Sequence, residues 1–437
     1  MTMAFYKIAW FNLTMPLMHY FIFLLLPLSA LYAEEIISVT TQAGDEINVV
    51  THPAKGKSLF IWLPSEAGPQ LSEQKAAEQL ANKGIEVWRI NLLEDYFLPV
   101  VTSSMERIPA SSVSALIKYA INKTQKQVYL ISTGRGAIPL LRGARHWQKQ
   151  RQQQHPNQAG LAGAILMSPK FFVETPDPGI EGKLMPIVKA TNLPVFIIQP
   201  NKSPWFWKLD KTIPALQQGG SDVYVRRLSN VRDRFNFRPD ATEIEKGLSE
   251  KLPVLLTQAT KLLAPFSKQT RIAINHQDEV PQVKIGKKDR KLQIYQGNPV
   301  PPVLRLKDLN NKIIDLNDLK ETVVLVNFWA SWCPPCVYEM PSMQRLQDKF
   351  KSQPFTILGV NMAEDKQTIQ TFLNTRINVS FPIILDSDGG ALKRWDVFAF
   401  PTSYVIDKKG KIRYALFGGI EWDTPDIIHK ISRLMNK

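Results

Sequence analysis

The chain has 437 residues, 44% hydrophobic and 21% charged, which is the composition of an ordinary globular protein with length for about two domains. Its net charge of +15 suits an anionic partner such as lipid headgroups or an acidic protein, whereas nucleic acid is not expected, because the interleaved basic and aromatic residues of its binding modules are missing. The two cysteines exclude both a framework of structural disulfides and a Cys-only zinc site, which needs four thiolates, and no metal or other cofactor is expected.

The first 33 residues have the pattern of an export signal. In the run 8–33 the only side chain that can carry charge near neutral pH is His19, and small residues near its end predict cleavage after Ala33. The run is also long enough to span a bilayer, which takes about 20 residues, so a retained anchor stays an alternative. Lys7 keeps the N-terminal end cytoplasmic under the positive-inside rule. We therefore expect a periplasmic or otherwise exported protein, either free or anchored to the inner membrane.

Strand-like and helix-like patterns alternate between residues 34 and 265. Apolar runs predict strands at 59–63, 85–90, 128–131, 164–167, 195–198 and 223–227. Helical spacing predicts helices over 72–83 and 111–121 and one closing helix over 243–263. Repeated strand–helix units are typical of the α/β class, with a doubly wound and mostly parallel sheet.

Residues 132–136, Ser-Thr-Gly-Arg-Gly, follow one of these strands and precede a helix. They resemble a degenerate form of the G-x-S-x-G nucleophile elbow of α/β-hydrolases, with Gly134 on the nucleophile position. No histidine lies between His155 and His276, so the base of a triad is missing as well. We interpret residues 34–265 as an α/β-hydrolase-like domain that is not catalytic. A hydrolase that used Ser132 or Thr133 would lack its base.

The periodic pattern disappears over residues 266–297, where basic residues crowd between Lys284 and Lys291. A proline-rich stretch begins directly after this segment, at Pro299. We interpret residues 266–297 as a basic linker and residues 298–437 as a second domain.

Both cysteines lie in the segment Trp332-Cys333-Pro334-Pro335-Cys336, directly after an apolar run that predicts a buried strand. At the start of a helix, orphan N–H groups and the helix dipole stabilise a thiolate on Cys333, and Cys336 lies one turn along. A structural disulfide across so short a loop would stabilise little, because loop-closure entropy grows with loop length. The spacing therefore favours a redox-active pair over a structural one.

The segments NPVPPVLRLKDL (298–309), LNDLK (316–320) and VVLVNFWASWCPPC (323–336), with Glu339 and Pro341 downstream, resemble the TlpA/ResA-like branch of the thioredoxin superfamily. The resemblance implies a thioredoxin-like fold and an exported, membrane-associated thiol:disulfide oxidoreductase. It also implies client proteins with disulfides or cysteine pairs and a membrane thiol as electron donor. Cytochrome c maturation and copper-site assembly are the contexts that it suggests.

Roles for individual residues follow from these patterns and from the resemblance. Cys333 is expected to be an exposed nucleophile and Cys336 a buried resolving thiol. In the family, a carboxylate at the position of Glu339 handles protons and raises thiol pKa values. A solvated glutamate is the alternative. Asn327 stands where ordinary thioredoxins carry a buried aspartate, which leaves Glu339 as the candidate.

The remaining candidate residues surround the cysteines. Pro334 and Pro335 stiffen the loop, and Trp332 either covers the disulfide or has a plain packing role. By resemblance, the bond between Phe400 and Pro401 is cis, and this pair docks an extended client strand by β-pairing.

The leading hypothesis is an exported thiol:disulfide oxidoreductase that reduces client disulfides. One alternative is a client- or ligand-binding scaffold of the cell envelope with an accessory redox domain. The other is a hydrolase with a non-standard site.

Overall fold

The computed structural model describes residues 34–154, 160–275 and 291–436, which form two domains, each built on its own sheet. The predicted export signal and most of the basic crowd after Lys284 lie outside these residues, and the boundaries 34–265, 266–297 and 298–437 stay predictions. In the parts of the chain that are described, no helix has the length and apolar character needed to cross a bilayer.

The N-terminal domain contains eight strands. They are β1 Glu35–Thr40, β2 Glu46–His52, β3 Ser58–Leu63, β4 Ile85–Ile90, β5 Gln127–Thr133, β6 Gly163–Met167, β7 Val195–Lys202 and β8 Val223–Arg232. Its helices are α1 Leu71–Asn82, α2 Leu92–Asp95, α3 Ser104–Arg107, α4 Ala110–Thr124, α5 Ala137–Gln154, α6 Pro186–Ala190, α7 Leu209–Gln218, α8 Glu243–Glu250 and α9 Leu252–Leu263.

The eight strands form one sheet in the order β1-β2-β4-β3-β5-β6-β7-β8. The strands from β3 to β8 run parallel, and β2 pairs antiparallel with both β1 and β4. Apolar clusters cover both faces, one including Leu59 and Leu116 and the other including Phe60 and Leu256. Burial on both faces explains why these strands read as continuous apolar runs. The α/β class is confirmed, and the hydrolase-like interpretation stays a prediction.

The single closing helix expected over 243–263 is wrong. The chain forms α8 and α9 with Lys251 between them. Pro253 lacks a backbone N–H and therefore suits the first turn of a new helix rather than the interior of a long one.

The C-terminal domain contains the remaining elements. Its strands are β9 Gln293–Ile294, β10 Arg305–Lys307, β11 Ile313–Asp315, β12 Val323–Trp329, β13 Phe355–Met362, β14 Ile383–Asp386, β15 Thr402–Ile406 and β16 Ile412–Phe417. Its helices are α10 Pro334–Lys349, α11 Lys366–Thr375, α12 Gly390–Arg394 and α13 Pro425–Met435.

Six of these strands form a thioredoxin-like sheet in the order β14-β13-β12-β15-β16-β9, and β10 and β11 form a separate hairpin. The strands β12, β13 and β14 are parallel, whereas β15, β16 and β9 pair antiparallel. The edge strand β9 falls inside the segment predicted as linker, so part of that segment belongs to the sheet.

The two domains touch beside the segment that precedes Pro401. The buried side chain of Lys208, in the N-terminal domain, donates a hydrogen bond of 2.5 Å to Asp396 Oδ1. Its Nζ lies 3.7 Å from the centre of the Phe398 ring, and Phe172 packs edge-on against the same ring at 5.1 Å. Phe398 is therefore held from the N-terminal domain, two residues before Phe400.

Candidate active site

The two cysteines form a disulfide at the junction between the end of β12 and the start of α10. All of β12 is buried, so the apolar run places the cysteines at the carboxyl end of a central strand. Cys333 is the N-cap of α10, and its Sγ accepts the backbone N–H of Cys336 at 3.3 Å. Pro334 and Pro335 occupy the first two helical positions, where a missing N–H leaves no helix hydrogen bond unmade.

The expectation that Cys333 is exposed is wrong for this disulfide form. Cys333 is 5% exposed and Cys336 is fully buried, whereas Pro334 and Pro335 are exposed. Cys333 is covered because it belongs to an apolar cluster against which Trp332 packs. The two prolines are thus the exposed face of the cysteine loop.

The Phe400–Pro401 segment lies at the same edge of the sheet as the disulfide. Its peptide bond is cis. The strand β15 begins one residue later, and Thr402 pairs with Phe328 near the end of β12. The ring of Phe400 packs edge-on against Trp332, with centroids 5.9 Å apart. The fold therefore brings together the cysteine loop and the segment predicted to dock a client.

Glu339 is a fully buried carboxyl one turn after Cys336. Its Oε1 accepts a hydrogen bond from Asn327 Nδ2 at 2.7 Å, and its Oε2 accepts one from Trp422 Nε1 at 3.0 Å. Burial raises the pKa of Glu339 to about 7, although its hydrogen bonds lower it. The alternative of a solvated glutamate is therefore wrong.

Residues around Glu339 that the sequence analysis missed come from distant parts of the chain. Trp422 is 83 residues away, and Asn327 Nδ2 also donates to Ser403 Oγ at 2.9 Å. No spacing rule links these positions, because α10, β15 and the segment before α13 meet only in the folded domain. Pairing of β15 beside β12 is the one signal that could have placed Ser403 near Asn327.

Glu364 is another residue that the sequence did not reveal, and it fixes the loop before the cysteines. The buried Glu364 accepts hydrogen bonds from the Ser331 N–H at 2.7 Å and from the Ser331 hydroxyl at 2.5 Å. Asn361 Nδ2 donates to the same carboxylate at 2.8 Å. This clamp fixes the backbone two residues before Cys333.

A carboxylate fills the space beside Gly134, the residue that the sequence pattern aligns with the nucleophile of a hydrolase. Gly134 has a φ of +58°, and a Cβ built on it would lie 2.6 Å from Glu66 Oε2. Glu66 accepts hydrogen bonds from the Arg135 N–H at 2.9 Å and from Lys170 Nζ at 2.6 Å. Burial raises the pKa of Glu66, but Lys170 and these hydrogen bonds outweigh it and lower the value to about 2. Ser132 is fully buried. This geometry weighs against a nucleophile at either position.

Comparisons with known proteins concern the C-terminal domain. Residues 297–415 match the AhpC/TSA family. Thiol-disulfide oxidoreductase ResA of Bacillus subtilis is 37% identical over 145 residues, which are 33% of this chain and 78% of that protein. ResA of Geobacillus kaustophilus is 34% identical over 128 residues, 29% of this chain and 72% of that protein. The crystal structure of StoA from Bacillus subtilis is 27% identical, covering 32% of this chain and 99% of that chain with a TM-score of 0.27.

Proposed function

The chain belongs, through its C-terminal domain, to the ResA-type thiol-disulfide oxidoreductases, and on that premise we propose that it reduces disulfides of exported client proteins. The disulfide between Cys333, at the N-terminus of α10, and Cys336 carries the proposal, together with the cis-proline segment, whose Phe400 ring packs on Trp332 of the cysteine loop. The apolar export pattern of residues 8–33 supports a site of action outside the cytoplasm.

In the reduced enzyme the Cys333 thiolate attacks one sulfur of the client disulfide. That S–S bond breaks, a mixed disulfide forms, and the first client sulfur leaves as a thiolate. The Cys336 thiolate then attacks Cys333 Sγ and releases the second client thiolate. Two electrons pass to the client, its two thiolates take up two protons, and the enzyme is left as the Cys333–Cys336 disulfide. A membrane thiol donor returns the two electrons.

Glu339 supplies the proton chemistry of this cycle in our proposal. Residues three apart on a helix have Cβ atoms about 5–6 Å apart, so the carboxyl neighbours Cys336. A pKa of about 7 lets it accept a proton from the Cys336 thiol near neutral pH and return it later. Phe400 and Pro401 dock the client beside the exposed face formed by Pro334 and Pro335.

The activity is tested with the full chain and a protein disulfide such as that of insulin. We expect the Cys333→Ser variant to lose reduction entirely and the Cys336→Ser variant to accumulate a mixed disulfide. Ser132→Ala is the matched control in the other domain and should keep full activity. A Cys333→Ser variant that still reduces insulin would overturn the proposal.

The direction of electron flow is tested by equilibrating the Cys333–Cys336 couple with glutathione. A reductase is expected to lie near the thioredoxin potential of about −270 mV. A potential near about −120 mV, typical of strong oxidants, would instead assign the chain to disulfide formation.

A further inference from the structure

The N-terminal domain contains a cavity of about 380 Å³ that is separate from the redox site. Its lining residues lie between Ile36 and Asp95. The floor is the face of β1, β2, β4 and β3, and the opposite wall is the first turn of α1 around Glu73. This volume falls within the usual range of small-molecule sites, about 300–1,000 Å³.

The floor of the cavity changes from apolar to polar along one row of residues that are paired across the strands. Ile36 pairs with Val50, Val50 with Arg89, and Arg89 with Trp62, each on a neighbouring strand. The row therefore runs from two apolar side chains to two N–H donors. Asn91, two residues beyond Arg89 along the chain, adds an amide to the same cavity.

Five polar atoms of the lining side chains are buried and make no hydrogen bond to any described residue. They are Trp62 Nε1, Glu73 Oε1, Arg89 Nε, Asn91 Oδ1 and Asp95 Oδ2. Trp62 and Glu73 are only 2% and 4% exposed, so water has little access to these two side chains from outside. More than about 90% of buried polar groups in proteins are paired, and leaving one unpaired is unfavourable. A group of such atoms around one cavity indicates a molecule that pairs with most of them.

The polarity of these atoms restricts what can bind. Trp62 and Arg89 offer N–H donors, whereas Asn91 and Asp95 offer acceptor oxygens. Burial raises the pKa of Glu73 to about 8, which favours the protonated form of this carboxyl at neutral pH. Trp62 lies near enough to lower that pKa somewhat without reaching hydrogen-bond geometry.

The lining carries charge of both signs, from Arg89 and from Glu94 and Asp95, so it does not select for a free anion or a free cation. The Arg89 guanidinium already has Glu34 Oε1 at 4.0 Å. Burial raises the pKa of Asp95, and its other oxygen accepts a hydrogen bond from Asn48 Nδ2 at 2.9 Å. A free ion that entered this site would lose its hydration shell without gaining an unpaired opposite charge, which is unfavourable.

We propose that this cavity binds a small, neutral, amide-bearing molecule with an apolar side group. The amide C=O groups accept from Trp62 and Arg89, the amide N–H groups donate to Asn91 and Asp95, and the apolar group packs on Ile36 and Val50. The inference is independent of the redox activity, because every residue that carries it lies in the N-terminal domain.

The test uses the full chain and N-acetyl-L-leucine N′-methylamide, a capped amide of this chemistry. The indole ¹H–¹⁵N signal of Trp62 is assigned by its loss in Trp62→Phe, and we expect it to shift saturably on titration. Calorimetry should show that Trp62→Phe weakens binding about fivefold, the effect of one lost hydrogen bond. The Trp395→Phe variant removes a similarly buried indole N–H from the other domain, one that has no hydrogen-bond partner among the described residues, and it should leave binding unchanged.

Two comparisons on the unmodified protein keep the test independent of any variant's folding. An analogue with esters in place of both amides keeps the shape and the acceptors but loses the donors, and it should bind more weakly. Equal binding of the ester would overturn the pairing with Asn91 and Asp95. Tighter binding of free leucine would show an ion site, and no saturable shift with any probe at millimolar concentration would show that the cavity holds water only.

Discussion

The pKa of Glu339 is raised to about 7, whereas an exposed glutamate has a pKa of about 4.3. The cause is burial, which disfavours the carboxylate, opposed by three N–H donors that stabilise it. Because the pKa in the folded state is raised, the folded form holds its proton more tightly than the unfolded form between about pH 4.5 and pH 7. Stability from this group is therefore present at low pH and is lost as the pH rises through that window.

The Glu339→Gln variant tests the direction of this pH dependence. The difference in unfolding free energy between wild type and variant should change by roughly 2.5 kcal/mol between pH 5 and pH 8, with the wild type losing stability as the pH rises. Urea unfolding of the oxidised protein at both pH values measures it. A difference that does not depend on pH would contradict the raised pKa.

The Trp422→Phe variant tests the hydrogen bond at the other carboxylate oxygen. The indole N–H stabilises the charged form of Glu339, so its removal should raise the pKa of that carboxyl further, by roughly one unit. Carboxyl ¹³C chemical shifts followed against pH measure the change. Trp395→Phe is the control, because the Trp395 indole N–H has no hydrogen-bond partner among the described residues. A Glu339 pKa unchanged by the first substitution would contradict the geometry.

At the scale of elements, the junction of β12 and α10 depends on Glu364, which lies beyond the end of β13. The Glu364→Ala variant removes three hydrogen bonds to a buried carboxylate, two of them from Ser331. We expect the C-terminal domain to lose roughly 2–4 kcal/mol of unfolding free energy, measured by urea unfolding. Asp365→Asn is the neighbouring control and should change little, because asparagine also caps a helix. Equal effects of the two variants would contradict the clamp.

The sequence reveals those elements whose signals are local. The strand β12, the start of α10 and the cysteine pair follow from an apolar run and a short motif. The contacts around Glu339 do not, because Trp422 reaches Glu339, and Ser403 reaches Asn327, through tertiary packing that no period in the sequence records. The burial of Cys333 was missed for the same reason, since the cluster that covers it is assembled from distant elements. In the N-terminal domain, Gly134 could be placed from the sequence, but the carboxylate that occupies its side-chain space could not.

At the scale of the whole molecule, the contact between the domains is polar as well as aromatic. Lys208 is buried and its partner Asp396 belongs to the other domain. A double-mutant cycle with Lys208→Ala and Asp396→Ala should give a coupling energy of roughly 1–3 kcal/mol in urea unfolding. The exposed pair Lys211–Glu181, within one domain, is the matched comparison and should couple by less than about 1 kcal/mol. A coupling near zero for the first pair would mean that this ion pair does not stabilise the contact between the domains.

The carboxylate of Glu66 in the space above Gly134 limits what this domain can become. A serine at position 134 would push Glu66 aside and leave the ammonium of Lys170 without the carboxylate that now accepts its hydrogen bond. Removing Glu66 alone would leave a glycine with nothing to attack a substrate. Neither substitution alone creates a working nucleophile, and each removes contacts that Glu66 now makes. Hydrolysis at position 134 would therefore need at least two substitutions together.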